Sequence, residues 1–467
     1  RLRLPSMSKA LDTRPLLPTV RAGSSRALAR GWLWMGVLAL IGSGVLAIVL
    51  VLSRTPGIAQ VFPLKDLFRA ALVVHVDLSV LIWFMAFASL VWSLVTVDRW
   101  VAVGKLSIAL AGLGTLLLAM SPFMPGAQPL LNNYVPVLQH PVFLAGLAMC
   151  GVGFGLTILR TLVWAWPGHA GVAATASRLH LGIYASALAG ALAWGALLWS
   201  MATMPAIDGT AYYEILFWGG GHVLQFQHAL LAAVAWWWLA KVLGAGWPVA
   251  ERQATRWFAV AAWPLAAVPV MYLLWPASAP EHTTAFAKLM EWGHLLMVPV
   301  LAATVAALPG AWRAPSSPVR SALITSVLLF VTGGILAFMI RGVNVVVPAH
   351  YHGSIVGITL AMMGLAYVLL PQLGFGRATG RMARWQPWVY GGGQLMHILG
   401  LAWSGGYGVQ RKVAGSAQVL VTVQERIGMG MMGLGGLIAV IGGVMFVWVC
   451  LVAMRSPAAP ESGTIAR

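Results

Sequence analysis

The chain has 467 residues, of which 60% are hydrophobic and only 9% charged, against about a quarter charged in soluble globular domains. That balance excludes a soluble enzyme and a disordered chain, and it requires lipid as solvent. The formal charge of +18 would suit a nucleic-acid binder, but the basic residues are dispersed between apolar runs and form no single patch.

Residues 1–30 are basic, contain Pro and Ser and have no apolar face, so they read as a cytoplasmic arm. The first apolar run is too long and too far in for a cleavable signal peptide. About twenty apolar residues span a bilayer. Candidate spans follow at roughly 31–53, 66–95, 106–122, 136–160, 180–203, 212–243, 255–275, 284–309, 318–340, 348–371, 386–404 and 426–454. With the first residue inside, the tails and even-numbered loops hold 21 of the 29 Lys and Arg, and the odd-numbered loops hold six: Arg54, Lys65, Arg69, Arg341, Arg411 and Lys412. Lys288 and Arg426 fall within or at the start of spans. This is a positive-inside bias. The expectation is an all-α integral membrane protein, a twelve-transmembrane-helix bundle with both termini cytoplasmic, its membrane domain over 31–455 and a short cytoplasmic tail over 456–467. Cys150 and Cys450 both lie in apolar runs and form no CxxC or CxxCH motif, so neither covalent haem attachment nor a zinc knuckle is expected.

The tenth span opens on Val346-Val347-Pro348-Ala349-His350-Tyr351-His352-Gly353. Positions two apart on an α-helix point about 200° apart. His350 and His352 therefore face opposite sides, and each can hold its own flat cofactor; neutral imidazole is a usual axial ligand of haem iron. His75 lies in the second span, His222 in the sixth, His294 in the eighth and His397 in the eleventh, with His282 in the outer loop before the eighth. Most of these histidines share one layer, the outer half of the membrane, where polar groups are costly and usually functional. Asp77, Glu214, Glu291 and Glu425 also fall in outer halves, and no Asp, Glu or Lys lies deep in an inner half.

A His in the second span, a His in the sixth and a His-x-His in the tenth of twelve spans resemble subunit I of the haem–copper oxidase superfamily, which contains cytochrome oxidases and nitric oxide reductases. The resemblance covers most of residues 30–455. His397-Ile398-Leu399-Gly400-Leu401, followed by Gly408-Val409-Gln410-Arg411-Lys412, is similar to the family's eleventh helix and its basic pair. The resemblance implies two haems, with b type assumed. His75 and His352 would be the axial ligands of a low-spin haem and His350 the ligand of a high-spin haem that binds a gas. Arg411 and Lys412 would meet haem propionates, to which guanidinium and ammonium are suited.

The chain departs from the family at the non-haem metal. His222 matches the family's ligand in the sixth helix. Where an adjacent His pair belongs, after Leu274-Trp275-Pro276, stand Ala277 and Ser278. The nearest substitutes are Glu281 with His282, or Glu291 with His294, three apart on one helical face. The metal would be iron held with carboxylate help, or copper, or absent. His228 points elsewhere on the sixth span and reads as structural. One helical turn beyond His222, where many oxygen-reducing members carry a Tyr, stands Phe226; Tyr272 in the seventh span has nothing to place it at the site.

These features imply the catalytic subunit of a respiratory gas reductase in the bacterial inner (cytoplasmic) membrane, surrounded by lipid. Electrons from a donor subunit, either a copper-bearing cupredoxin or a cytochrome c, would pass through the low-spin to the high-spin haem. Reduction of nitric oxide to nitrous oxide is favoured. The alternatives are a cytochrome c oxidase-type enzyme reducing O2 to water, and a non-catalytic dihaem electron-transfer subunit. The absence of carboxylates from the inner halves implies that protons come from outside without pumping.

Overall fold

A computed structural model describes residues 17, 18, 20, 22–55, 65–168, 172, 177–413 and 418–456. Nearly all of them are helical, as expected where no water reaches the backbone and each N–H and C=O must pair within its own segment. In chain order the helices are α1 (Ser24–Arg54), α2 (Lys65–Val76, Asp77–Ile82 and Trp83–Val95), α3 (Val101–Met120), α4 (Pro141–Trp164), α5 (His180–Thr203) and α6 (Gly209–Val242). They continue with α7 (Glu251–Ala262, Trp263–Ala266 and Ala267–Leu274), α8 (Pro280–Gly293, His294–Met297 and Val298–Arg313), α9 (Pro318–Ala337), α10 (Val346–Gln372), α11 (Gly380–Gly406) and α12 (Val423–Arg455). Two short antiparallel strands, β1 (Gln128–Leu130) and β2 (Val137–Gln139), form a hairpin between α3 and α4.

Among the described residues, 11 helices are long and apolar enough to cross a membrane, and the chain is a multi-pass membrane protein. The remaining helix, α11, is long enough, but Arg381, Arg384 and Gln386 in its first turns shorten its apolar stretch. The first helix begins at Ser24, inside the stretch read as a basic arm. Asp98 explains this early start: its carboxylate accepts from Ser25 N and Ser25 Oγ, each at 2.8 Å, and so caps the helix N-terminus. Residues 457–467, most of the expected cytoplasmic tail, lie outside the described residues.

Two compact units divide the chain. The first comprises Arg1–Leu50, Leu64–Lys241 and Ala245–Pro309, and the second Val51–Pro63, Val242–Gly244 and Gly310–Arg467. Helices in both are joined by small residues, the usual device where lipid supplies no hydrophobic drive between helices. In the first unit Gly114 and Gly146 bring α3 against α4, and Ser107 Oγ donates to Gly153 O at 2.6 Å. In the second unit α9 packs on α10, α10 on α11, and α11 on α12. Gly333 and Gly353 make the α9–α10 contact, where a Cβ on Gly333 would come within 2.5 Å of Ser354 N.

Two helices are irregular near histidines. In α2 the α-helix gives way to a π-helical turn over Asp77–Ile82, starting two residues after His75; such turns are frequent at functional sites. In α8 a 3-10 turn over His294–Met297 begins at His294 itself. Glu281 and His282 lie in the first turn of α8, not in a loop as expected from the sequence.

Candidate haem and gas site

Six histidines share one feature: the ring Nδ1 lies within hydrogen-bond distance of a backbone carbonyl oxygen. In the first unit His75 meets Ser43 O at 3.0 Å, His222 meets Trp218 O at 2.7 Å and His294 meets Met290 O at 2.9 Å. In the second unit His350 meets Gly333 O at 2.8 Å, His352 meets Pro348 O at 2.8 Å and His397 meets Met432 O at 2.9 Å. A carbonyl can only accept, so Nδ1 carries the proton in each bond. The second nitrogen, Nε2, then holds the lone pair, which is the tautomer of a metal-bound histidine supported by its backbone. His222, His294 and His352 use the carbonyl four residues back in their own helix. His75, His350 and His397 use a neighbouring helix, so packing fixes those three rings.

In the second unit His350 is directed to α9 through Gly333. The ring of His352 lies 5.1 Å from that of His397 on α11 and 4.9 Å from that of Tyr351, with which it stacks. The two histidines of the His-x-His motif thus have different neighbours. Arg411 and Lys412 follow a short return of the chain: Val345 N donates to Val409 O at 3.0 Å, and Asn344 pairs with Gln410. This holds the basic pair beside the end of α10 that carries His350 and His352. Lys412 has a left-handed backbone, φ 62°, uncommon for a non-glycine residue.

In the first unit His75 is anchored by Ser43 on α1, whose Oγ also lies 2.9 Å from Nδ1. The neighbouring Asp77 is buried, and neither carboxylate oxygen has a hydrogen-bond partner among the described residues. The surroundings of His222 are aromatic. Tyr134 Oη lies 2.9 Å from its Nε2, and Trp218, Tyr134 and Phe286 all flank the ring.

Sequence reasoning missed Tyr134. It sits in the turn between β1 and β2, where Tyr134 N donates to Asn132 Oδ1 at 3.0 Å. Glu214 at the start of α6 holds the turn from outside, accepting from Asn133 N at 2.9 Å and Asn133 Nδ2 at 2.5 Å. The tyrosine ring lies against Gly221, where any Cβ would collide with it. Burial, and after it the Glu214 carboxylate, push the Tyr134 hydroxyl above the usual tyrosine range. The only available sequence signal was the Asn132-Asn133 turn, which says nothing about what the next residue touches.

Of the candidate partners of His222, the two carboxylates are turned away from it, while His282 and His294 lie within electrostatic reach of its ring. Glu291 pairs with Lys288 at 3.1 Å on the exposed side of α8, and Glu281 is exposed. The His294 ring stacks on Phe226 at 4.0 Å, with its Nδ1 held by Met290 O. His282 is fully buried with neither ring nitrogen hydrogen-bonded, and it packs on Tyr272 and Phe286. Phe286 also touches His222, so it lies against both histidines. Tyr272 itself bonds to Ser200 Oγ at 2.9 Å. Among the described residues no group of three or more His, Cys, Asp or Glu is placed to hold a metal ion. The carbonyl-bound histidines present Nε2 in the tautomer that could take a haem iron. His228 packs edge-on against Phe84 at 4.5 Å, away from these groups.

No family model matches the chain. It is 28% identical over 503 residues to an uncharacterized protein of Rickettsia prowazekii, covering 91% of this chain and 96% of the relative. It is 27% identical over 365 residues to an uncharacterized protein of Aquifex aeolicus, covering 76% of this chain and 88% of that one. Among solved structures it is similar to a heme-copper terminal oxidase dimer determined by cryo-electron microscopy, with a TM-score of 0.68 at 16% identity over 95% of this chain and 86% of that one. The chain has the fold of a heme-copper terminal oxidase.

Proposed function

We propose that the chain is the catalytic subunit I of a respiratory gas reductase of the haem–copper oxidase type. The observation that carries this reading is the set of histidines with Nδ1 tied to carbonyls, on helices of an oxidase-like fold. His75 and His352 would hold a low-spin haem and His350 a high-spin haem, with Arg411 and Lys412 at propionates. When bound, the two haems supply one-electron transfer and an open iron position for a gas. This chain's own contribution is to fix the ring orientations through Ser43, Gly333 and Pro348, to neutralise propionate charge and to keep the site apolar. Electrons would come from a subunit bearing a cupredoxin copper or a cytochrome c, in a bacterial inner membrane.

Nitric oxide reduction is the favoured reaction. Phe226 lies one helical turn beyond His222 and is committed to stacking on His294, so the sixth helix offers no phenol there. Oxygen reduction is the second reading, and one observation favours it: Tyr134 brings a phenol to His222 from another element. The test is an optical spectrum of the reduced protein with and without carbon monoxide, followed by consumption assays with each gas. Two haem signals with one binding carbon monoxide, and nitric oxide consumed faster than O2, are expected. A protein without haem overturns the proposal, and haem without carbon monoxide binding reduces it to an electron-transfer subunit.

A further inference from the structure

The second unit contains a basic cavity at the opposite end from the His350–His352 motif. It has a volume of about 430 Å³ and is lined by Ser316, Arg320, Arg381, Arg384, Trp385 and Trp388. Arg320 lies in the first turn of α9, and Arg381 and Arg384 lie in the first turns of α11. Neither helix has an acidic residue in its first turn; Ser317 caps α9 by accepting from Arg320 N, whereas Thr379 at the start of α11 makes no side-chain cap. Positive charge at a helix N-terminus opposes the helix dipole. Two adjoining helices break this rule together, which is expected where an anion from outside supplies the missing charge.

No protein anion supplies it among the described residues. The ion pairs there involve Arg178, Lys241 and Lys288, and none of the cavity's arginines. Over residues 310–456 the one carboxylate is Glu425, which is closed in a capping box with Thr422 at the far end of α12. Glu461 lies outside the described residues. Within the cavity wall Arg320 donates through one terminal nitrogen to Ala314 O at 2.9 Å, while its buried Nε has no partner. Its guanidinium carbon lies 5.9 Å from the centre of the Trp312 ring. Trp312 and Trp385 are exposed, and indoles collect at membrane–water interfaces.

We propose that this cavity binds a phosphate group, presented by the headgroup of an anionic phospholipid in the leaflet that the Lys and Arg distribution assigns to the cytoplasm. The uncapped N-terminus of α11 and three guanidinium groups recognise the phosphate, and the exposed indoles set its depth. Basic pockets between helices on this side of a membrane are suited to such headgroups.

Native mass spectrometry of the full-length protein tests this. The detergent-solubilised chain is offered phosphatidylglycerol or phosphatidylcholine. Phosphatidylglycerol is expected to be retained at least tenfold better, and each neutralised arginine to weaken it roughly fivefold. R381Q/R384Q should therefore lose most of the adduct, while R377Q, at the same end but outside the cavity wall, retains it. Should the double variant misfold by circular dichroism, R384Q, which alters one exposed side chain, carries the measurement. Equal retention of the two lipids, or retention unchanged in a folded R381Q/R384Q or R384Q, overturns the proposal. Inorganic phosphate is added in a separate arm: failure to compete at millimolar concentration supports the lipid, and displacement of the lipid overturns it as the source in favour of free phosphate.

Discussion

His222 and Tyr134 face each other at one nitrogen, and that contact sets what the site can do. With Nδ1 donating to Trp218 O, Nε2 accepts from the Tyr134 hydroxyl. If nitric oxide is the substrate, the phenol is a structural partner. Tyr134→Phe should then cost about 1 kcal/mol of stability and keep nitric oxide consumption within severalfold. A phenol used as proton donor in O2 reduction would instead cost about 10²–10⁴ in rate on substitution. Parallel oxygen- and nitric-oxide-electrode traces on the variant separate the two. The raised tyrosine range fixes a sign as well: the hydroxyl stays protonated in the folded state, so stability should not depend on this group below about pH 10 and should fall as pH rises above that. The haem ligands are tested separately. His75→Ala should remove the sharp reduced α-band and leave carbon monoxide binding; an unchanged low-spin spectrum would sink that assignment.

Helices carry most of what the sequence made legible. Apolar runs of span length place α2 to α10 and α12 within a few residues, and the end but not the early start of α1, because lipid leaves the backbone little choice. The histidines could be assigned to helices for the same reason. What the sequence hid were departures from regular helix: the π turn that begins at Asp77, the 3-10 turn that begins at His294, and the hairpin that delivers Tyr134. Each depends on tertiary contacts that a hydropathy pattern does not contain. For Glu291 and His294 the three-residue spacing lies on unbroken helix, but Glu291 pairs with Lys288 on an exposed face while the His294 ring stacks on Phe226. Glycine positions gave no signal either, yet Gly333 is what lets α9 approach α10 closely enough for its carbonyl to meet His350. Gly333→Ala places a methyl carbon within 2.5 Å of Ser354 N, so the helices must separate. A loss of about 1–3 kcal/mol is expected from overpacking, along with weakened carbon monoxide binding and an intact low-spin band. Equal loss of both haem signals would mean that the whole unit had collapsed and that Gly333 has no selective role.

Across the whole molecule, the question is which side supplies protons. With the orientation proposed from the Lys and Arg bias, the inner halves would hold no Asp, Glu or Lys at depth, and the outer halves would hold Asp77, Glu214, Glu291 and Glu425. Three of those four are engaged in structural bonds: Glu425 in its capping box, Glu291 with Lys288 and Glu214 with Asn133. Glu214 nonetheless sits over the turn whose tyrosine reaches His222, so polar groups lead from the start of α6 to His222 within the first unit. At the opposite ends of α9, α10 and α11 the described buried polar side chains are hydroxyls and amides without a carboxylate, among them Thr325, Ser326, Tyr367 and Gln386. Electrons from an outer donor and protons from the same side move no net charge across the bilayer. Turnover should then be non-electrogenic, whereas a pumping enzyme works against about 2.3 kcal/mol per charge per 100 mV. The enzyme with its donor subunit, reconstituted in liposomes and given reductant and gas, should generate no potential on a voltage-sensitive dye and should turn over equally with and without ionophore. A potential that collapses on ionophore addition, with faster turnover afterwards, would require a route through hydroxyls and water from the inner side. It would also move the reading from nitric oxide to oxygen, because the Tyr134 phenol would then stand where an oxidase needs one.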